Sequence, residues 1–275
     1  MNTKIACGII VKDDSEAENL TRCLNTVAPF VDGIFLSITN KPYFKIKDIA
    51  KRYGANLDIR VNEFFYQAGD KEIKWLSKNL GYPSTIQKGD RVFQFDEARN
   101  ANLNFIPDQF QWFFWIDCDD VLRNGNLLHQ IADEAFARND EAIFFNYLYQ
   151  LETRKEAMVI NEFLTPIKVE GEKIVNTIIQ HLRERLVRID GEYRKVYRWI
   201  GSIHETLIQQ RETKKVEDQR IDIVHLTTGE RRDAALVRNL KTLEIEIYKT
   251  KGQDPRPLYY LGKAFYDYHT TEAHQ

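Results

Sequence analysis

The sequence predicts an α/β protein with a mostly parallel central sheet and helices packed on its faces. Two observations predict it. Strand and helix patterns alternate through the first half of the chain, and the most apolar strand runs straight into a group of carboxylates. The alternation opens with an apolar run at 5–11, followed by Asp13, Asp14 and Ser15 as helix-start residues. An amphipathic stretch with Leu20, Cys23, Leu24 and Val27 on one face then ends near Pro29. Residues 33–38 read as a second buried strand, 43–53 as a helix stopping at Gly54, and 56–61 as a third strand. A helix over 97–105, broken at Pro107, precedes the run Phe113-Phe114-Trp115-Ile116. A continuous apolar run of this kind suits a strand covered on both faces. Strands joined through helices are parallel neighbours, because only a long crossover returns the chain to the same edge.

Residues 62–94 interrupt this rhythm. They contain a helical pattern over 70–80, with Ile73, Leu76 and Leu80 at helical spacing beside Trp75. This reads as an inserted helix with mobile flanks, either a lid or a packed surface decoration. After residue 140 strands are expected at 143–151, 185–189, 193–199 and 221–226, the last ending at His225. Beyond Gly229 the pattern is helical: 233–249 carries Leu236, Leu240, Leu243 and Ile247 three or four apart, and a second helix covers 257–268. The expected division is a main domain over 1–228 and a short α-helical extension over 229–275. The ending at Gln275, just after what reads as the first helix of a pair, points to a longer helical array.

Composition narrows the function classes. A hydrophobic fraction of 43%, a charged fraction of 29% and a net charge of -2 describe an ordinary soluble protein. They leave no footprint for nucleic acid or for an anionic membrane. No apolar segment approaches the roughly 18 residues needed to span a bilayer. Cys7, Cys23 and Cys118 lie far apart without metal-ligand spacing, and with no secretory signal they favour a reducing, cytoplasmic setting.

The chemistry concentrates at Asp117-Cys118-Asp119-Asp120. Along an extended chain Asp117 and Asp119 leave on one side and Cys118 on the other. Hard oxygen ligands at the carboxyl end of a parallel strand suit a divalent metal and the phosphates it bridges. The competing reading is a solvated acidic turn after a core strand.

Several segments, in order, carry a resemblance. They are Ile9-Ile10-Val11-Lys12-Asp13-Asp14, Phe95-Asp96-Glu97-Ala98-Arg99-Asn100, the 117–120 acidic run, and Arg185-Leu186-Val187-Arg188 followed by Tyr197-Arg198-Trp199-Ile200-Gly201-Ser202-Ile203-His204-Glu205. Together the chain resembles the family-two glycosyltransferases of GT-A fold, specifically those followed by tetratricopeptide repeats. Tyr259-Tyr260-Leu261-Gly262-Lys263-Ala264 is similar to the opening of such a repeat.

The resemblance implies a GT-A, nucleotide-diphospho-sugar transferase fold and a metal-dependent, inverting hexosyltransferase. The donor would be a nucleotide sugar, UDP-hexose first, the metal Mn²⁺ or Mg²⁺, and the acceptor a protein, peptide or glycan. It makes Asp119 the direct metal ligand, with Asp117 serving the ribose or a metal-bound water and Asp120 assisting. His225 would complete the metal or diphosphate site, or else be a satisfied strand-end histidine. Glu205 is the implied general base with His204 orienting it, and Trp199 is either an apolar wall for the sugar or a core residue. Asp96, Arg99 and Asn100 are expected near the donor. Asp13 and Asp14 sit where the nucleotide would bind, and Asp14 equally suits a helix cap. Arg185 and Arg188 either pair with the acidic site or face solvent. The second strand exits as Leu36-Ser37-Ile38-Thr39-Asn40-Lys41, without the acidic residue the family uses for the base, which leaves the nucleotide open. A nucleotidyltransferase and a catalytically inactive interaction module are the alternatives, and the C-terminal helices are a candidate oligomer contact.

Overall fold

The computed structural model describes residues 3–154, 168–170, 173–203, 205–227 and 229–272. They form two compact units: 1–61 with 99–198 and 207–228, and 62–98 with 199–206 and 229–275.

The first unit is built on β1 (Ile5–Val11), whose residues are buried almost throughout because a parallel neighbour covers each edge. Those neighbours are β2 (Gly33–Ile38) and β6 (Trp112–Trp115), and β3 (Asn56–Ile59) extends the sheet beyond β2. Helices α1 (Ala17–Val27) and α2 (Phe44–Tyr53) supply the crossovers. The α1 face carrying Leu20, Cys23, Leu24 and Val27 is fully buried, as its spacing predicts. Helix α4 (Phe95–Phe105) comes close enough that a Cβ on Gly8 would meet Asn102 Oδ1 at 2.1 Å, so only glycine fits there. Asn102 donates to Ser37 Oγ at 2.8 Å and to the Phe35 carbonyl at 3.1 Å.

The rest of the sheet comes from β7 (Asp120–Arg123), β8 (Ala142–Arg154), β9 (Lys168–Glu170), β10 (Lys173–Arg188) and β13 (Lys215–Thr227). Helix α5 (Leu128–Ala137) links β7 to β8. The strand order is β3-β2-β1-β6-β10-β8-β13-β7, with β9 beside β10. Strands β1, β2, β3, β6, β8 and β13 run one way and β10 and β7 the other, so the α/β class and the mostly parallel sheet stand as expected. Strands β8 and β10 run well beyond the expected 143–151 and 185–189. The strand expected over 193–199 begins only at β11 (Tyr197–Ile200), because Gly191–Lys195 is a 3-10 turn opened by the positive φ of Gly191.

Strand β7 was not expected, and it bends the sheet. Only 116–119 separate β6 from β7, yet β10, β8 and β13 lie between them in the strand order. Those steps across the sheet amount to about 19 Å, while the connecting chain reaches at most about 18 Å even if fully extended. The sheet therefore curls, and the ends of β6, β8, β10 and β13 turn toward one another.

The second unit holds β4 (Phe65–Gln67), α3 (Asp70–Asn79), β5 (Arg91–Phe93), α6 (Gly229–Thr250) and α7 (Pro255–Glu272). The flanks of the inserted helix, expected to be mobile, pair as an antiparallel β4–β5 ladder. Leu76 packs with Val92 and with Ile245 of α6. Glu244 ties 82–86 to α6: its carboxylate, 0% exposed, accepts from Tyr82 Oη (3.0 Å), Ser84 Oγ (2.5 Å), Thr85 N (3.0 Å) and Ile86 N (3.3 Å). Glu244→Ala strands these donors in the interior. It is expected to cost about 3 kcal/mol or more in urea unfolding, against well under about 1 kcal/mol for a surface glutamate.

Candidate functional site

The site grows from the exit of β6. After Ile116 the chain turns: Asp120 N donates to the Asp117 carbonyl at 3.0 Å, and Asp117 N donates to Asp120 Oδ2 at 3.3 Å. This replaces the extended alternation expected at 117–119. The cause is the pairing of β7 with β13, which places Asp120 opposite His225 and requires the chain to bend first. Cys118 Sγ donates toward Glu16 Oε2 at 3.5 Å, and Arg22 holds the Asp119 carbonyl at 3.1 Å.

Asp120 is the centre of the cluster and is 0% exposed. Its Oδ1 accepts from Tyr147 Oη at 3.1 Å and lies 2.9 Å from His225 Nδ1, while Oδ2 is 3.6 Å from Arg185 Nη2. Asp117 is gripped by Arg99 at 2.6 Å and faces Arg185 at 3.8 Å. Arg185, fully buried, lies between the Trp115 ring at 3.8 Å and the Tyr147 ring at 4.3 Å; Arg99 lies 4.4 Å from the same tryptophan. A cation taken this far from water needs both the carboxylates and the ring faces.

The charges set the protonation states. Burial pushes Asp117 up, but the Arg99 and Arg185 guanidiniums outweigh it and hold the carboxyl well below the usual range. Asp119 lacks such a partner: burial, with Asp120, Asp117 and Glu16 nearby, raises it to about 6 against the pull of His225. Burial pushes His225 down, yet the Asp120 hydrogen bond and the charges of Asp119 and Asp120 carry it up to about 9.

Of the expected site residues, Asp117, Asp119, His225 and Arg99 come together, with Asp120 among them. Asn100 is half-buried on α4 beside Arg99. Asp13 caps the turn Asp14–Glu16, accepting from Ser15 N at 2.9 Å. Asp14 caps α2 rather than its own helix, accepting from Phe44 N at 3.0 Å and Ile46 N at 3.2 Å. Arg185 takes the site-facing alternative; Arg188 pairs with Asp190 at 2.6 Å instead. Asp96, Trp199 and Glu205 belong to the second unit, where Trp199 is buried and Glu205 half-buried. His204 lies outside the described residues.

The sequence reading missed Tyr147, Tyr149 and His181. The Tyr149 ring lies 5.1 Å from His225 and stacks on His181 at 5.7 Å. Their signal was the two-residue period of Tyr147-x-Tyr149 and His181-x-Arg183-x-Arg185, one face of each strand.

The donor set fits a divalent cation. One ligand atom each from Asp119, Asp120 and His225 lie within 4.8 Å of one another, close to the span across an ion with bonds of about 2.0–2.3 Å. His225 Nδ1 lies 2.9 Å from Asp120 Oδ1 and 3.7 Å from Asp119 Oδ1, and with its pKa raised to about 9 the imidazole would release a proton as a cation bound. Carboxylates with one imidazole favour Mn²⁺ over Mg²⁺.

No protein-family model and no curated protein matches the sequence. Among solved structures, S. aureus TarS matches at 14% identity with a TM-score of 0.34, over 54% of this chain and 22% of that one, so the chain spans about a fifth of TarS. A shorter TarS structure, residues 1–349, matches at 10% identity and a TM-score of 0.39, over 88% of this chain and 65% of that one. A 4-diphosphocytidyl-2C-methyl-D-erythritol synthase from Anaerococcus prevotii matches at 12% identity and a TM-score of 0.42, over 86% and 95%. Likeness at this level carries no argument about activity. No helix among the described residues is long and apolar enough to cross a membrane.

Proposed function

We propose that the protein is a metal-dependent, inverting glycosyltransferase that moves a hexose from a nucleotide-diphosphate sugar to a protein, peptide or glycan. The observation that carries this is the convergence of Asp119, Asp120 and His225 at the carboxyl end of the parallel strand β6, where open α/β sheets bind phosphates. Asp119, crowded by Asp120 and Asp117 with its pKa raised to about 6, supports a cation site over a solvated acidic turn.

In this reading Asp119 and His225, with Asp120 assisting, would hold the cation, and Asp120 also orients His225. A bound Mn²⁺ or Mg²⁺ would supply Lewis-acid stabilisation of the diphosphate leaving group. Arg99 and Arg185 hold Asp117 ionised, and Arg99 fixes it at the rim for the donor ribose. Glu205, in the role the resemblance gives it, takes the proton from the acceptor as its oxygen, nitrogen or sulfur bonds to the anomeric carbon. Helices α6 and α7, which resemble a repeat opening, present the acceptor.

The test is a thermal-shift screen of nucleotide sugars and nucleoside diphosphates, each with and without Mn²⁺. A ligand for the native state raises stability as RT ln(1 + [L]/Kd), about 2.7 kcal/mol at a hundredfold excess over Kd. The expected result is a Mn²⁺-dependent rise with one donor family, UDP-sugars first. No rise with any donor would leave the carboxylates as a structural turn.

A further inference from the structure

Between β11 and β12 (Thr206–Gln209) the chain makes the turn that carries Glu205. We propose that Glu246 of α6 and Arg256 of α7 are positioning residues that clamp this turn and aim Glu205. The proposal rests on the reading of Glu205 as general base; the hydrogen bonds that suggest it do not.

Every contact lies within the second unit. Glu246 Oε1 accepts from Ser202 N at 2.8 Å. Arg256 Nη1 donates to the Ile200 carbonyl at 3.4 Å, and Nη2 donates to Thr206 Oγ1 at 2.8 Å. One guanidinium thus spans the two ends of the turn while a carboxylate grips its middle, and Glu205 lies between the gripped positions. Arg256 is itself placed by the start of α7, where its backbone N–H donates to Asp254 Oδ1 at 2.9 Å. Ile203 adds an apolar anchor, packing with Leu240, Leu243 and Leu261.

Gly201 shows how tight the clamp is. Its φ is +87°, and a Cβ there would meet Arg256 Nη1 at 2.1 Å and Glu246 Oε1 at 3.3 Å. Only glycine admits both the turn and the two side chains. A group that must meet a reacting atom within a few tenths of an ångström needs its backbone held, here by the half-buried Glu246 carboxylate and the forked Arg256 cation. The helices therefore hold the base as well as presenting an acceptor.

The test uses the full chain, Mn²⁺ and UDP-glucose. In donor hydrolysis the water oxygen bonds to the anomeric carbon, the bond to the diphosphate breaks, and Glu205 takes the water proton. Glu246→Ala and Arg256→Lys should each lower kcat about tenfold with KM for UDP-glucose unchanged. Lysine cannot span both acceptors. Glu246→Gln should retain most of the rate, because its amide oxygen still accepts from Ser202. Amide exchange over 199–208 should rise about tenfold in Glu246→Ala and Arg256→Ala, with α1 and β1 unchanged. Unchanged kcat, or equal loss in Glu246→Gln and Glu246→Ala, overturns the clamp as a positioning device. If the wild type does not hydrolyse UDP-glucose, that counts against the proposed function, and the exchange result alone decides the clamp: unchanged exchange overturns it.

Discussion

Asp119→Asn is expected to abolish the Mn²⁺-dependent thermal shift and to lower turnover about a hundredfold or more, while making the metal-free protein more stable above pH 6. The two effects have one cause. Asp119 is held near Asp120 and Asp117 with burial raising its pKa from 3.8 to about 6. Between these values the folded state binds more protons than the unfolded state, so stability falls as pH rises, and the penalty is complete above about pH 6. That penalty is on the order of 2 kcal/mol. Asparagine removes the charge and so the penalty, but it also removes the ligand least engaged by protein partners. Urea melts at pH 5 and pH 8 check the sign: the variant should gain at both, and clearly more at pH 8, because the penalty is only about half developed at pH 5. A variant destabilised at both pH values would mark Asp119 as a structural residue. Groups arranged for a cation commonly sacrifice stability in its absence.

Arg185→Ala has the largest expected effect on folding. The guanidinium is fully buried between Trp115 and Tyr147, within 3.8 Å of Asp117 and 3.6 Å of Asp120. Truncation takes the guanidinium from Asp117 and from Asp120, the latter also 0% exposed and left with His225 as its cationic partner, and opens a cavity between two rings. Removing one partner of a buried ion pair costs about 3–5 kcal/mol. At about 2–4 °C per kcal/mol for a chain of this size, Tm should fall by roughly 10 °C in calorimetry. Arg185→Lys should recover little, since an ammonium can neither fork between two carboxylates nor stack on both rings. A drop of only a degree or two would mean that Arg99 alone compensates the carboxylates.

Much of the first unit was legible because its signals are local. The run at 5–11 and the sequence Phe113-Phe114-Trp115-Ile116 announce covered strands by composition alone, and Leu20, Cys23, Leu24 and Val27 announce a helix face by spacing. Asp119 was legible as a carboxylate leaving a buried strand. Glu244 was not, because on its helix it looks like any surface glutamate. Its role appears only where 82–86 fold over it.

What the sequence by itself determined was therefore the α/β class, the early strands and helices, and the acidic exit of β6. Periodicity and apolar content act over a few neighbouring residues and can be read without knowing the partners. Only the tertiary structure decided which carboxylates and cations meet. Asp120 begins a strand too short to announce itself, and its pairing with His225, 105 residues away, exists only through the register of β7 on β13. Strand alternation puts Arg185 and Arg188, three residues apart, on opposite faces without saying which face meets the site; the folded chain sets Arg185 against Asp117 and Asp120 and leaves Arg188 to Asp190. Register and curvature arise from contacts between segments distant in the chain, so no local pattern carries them.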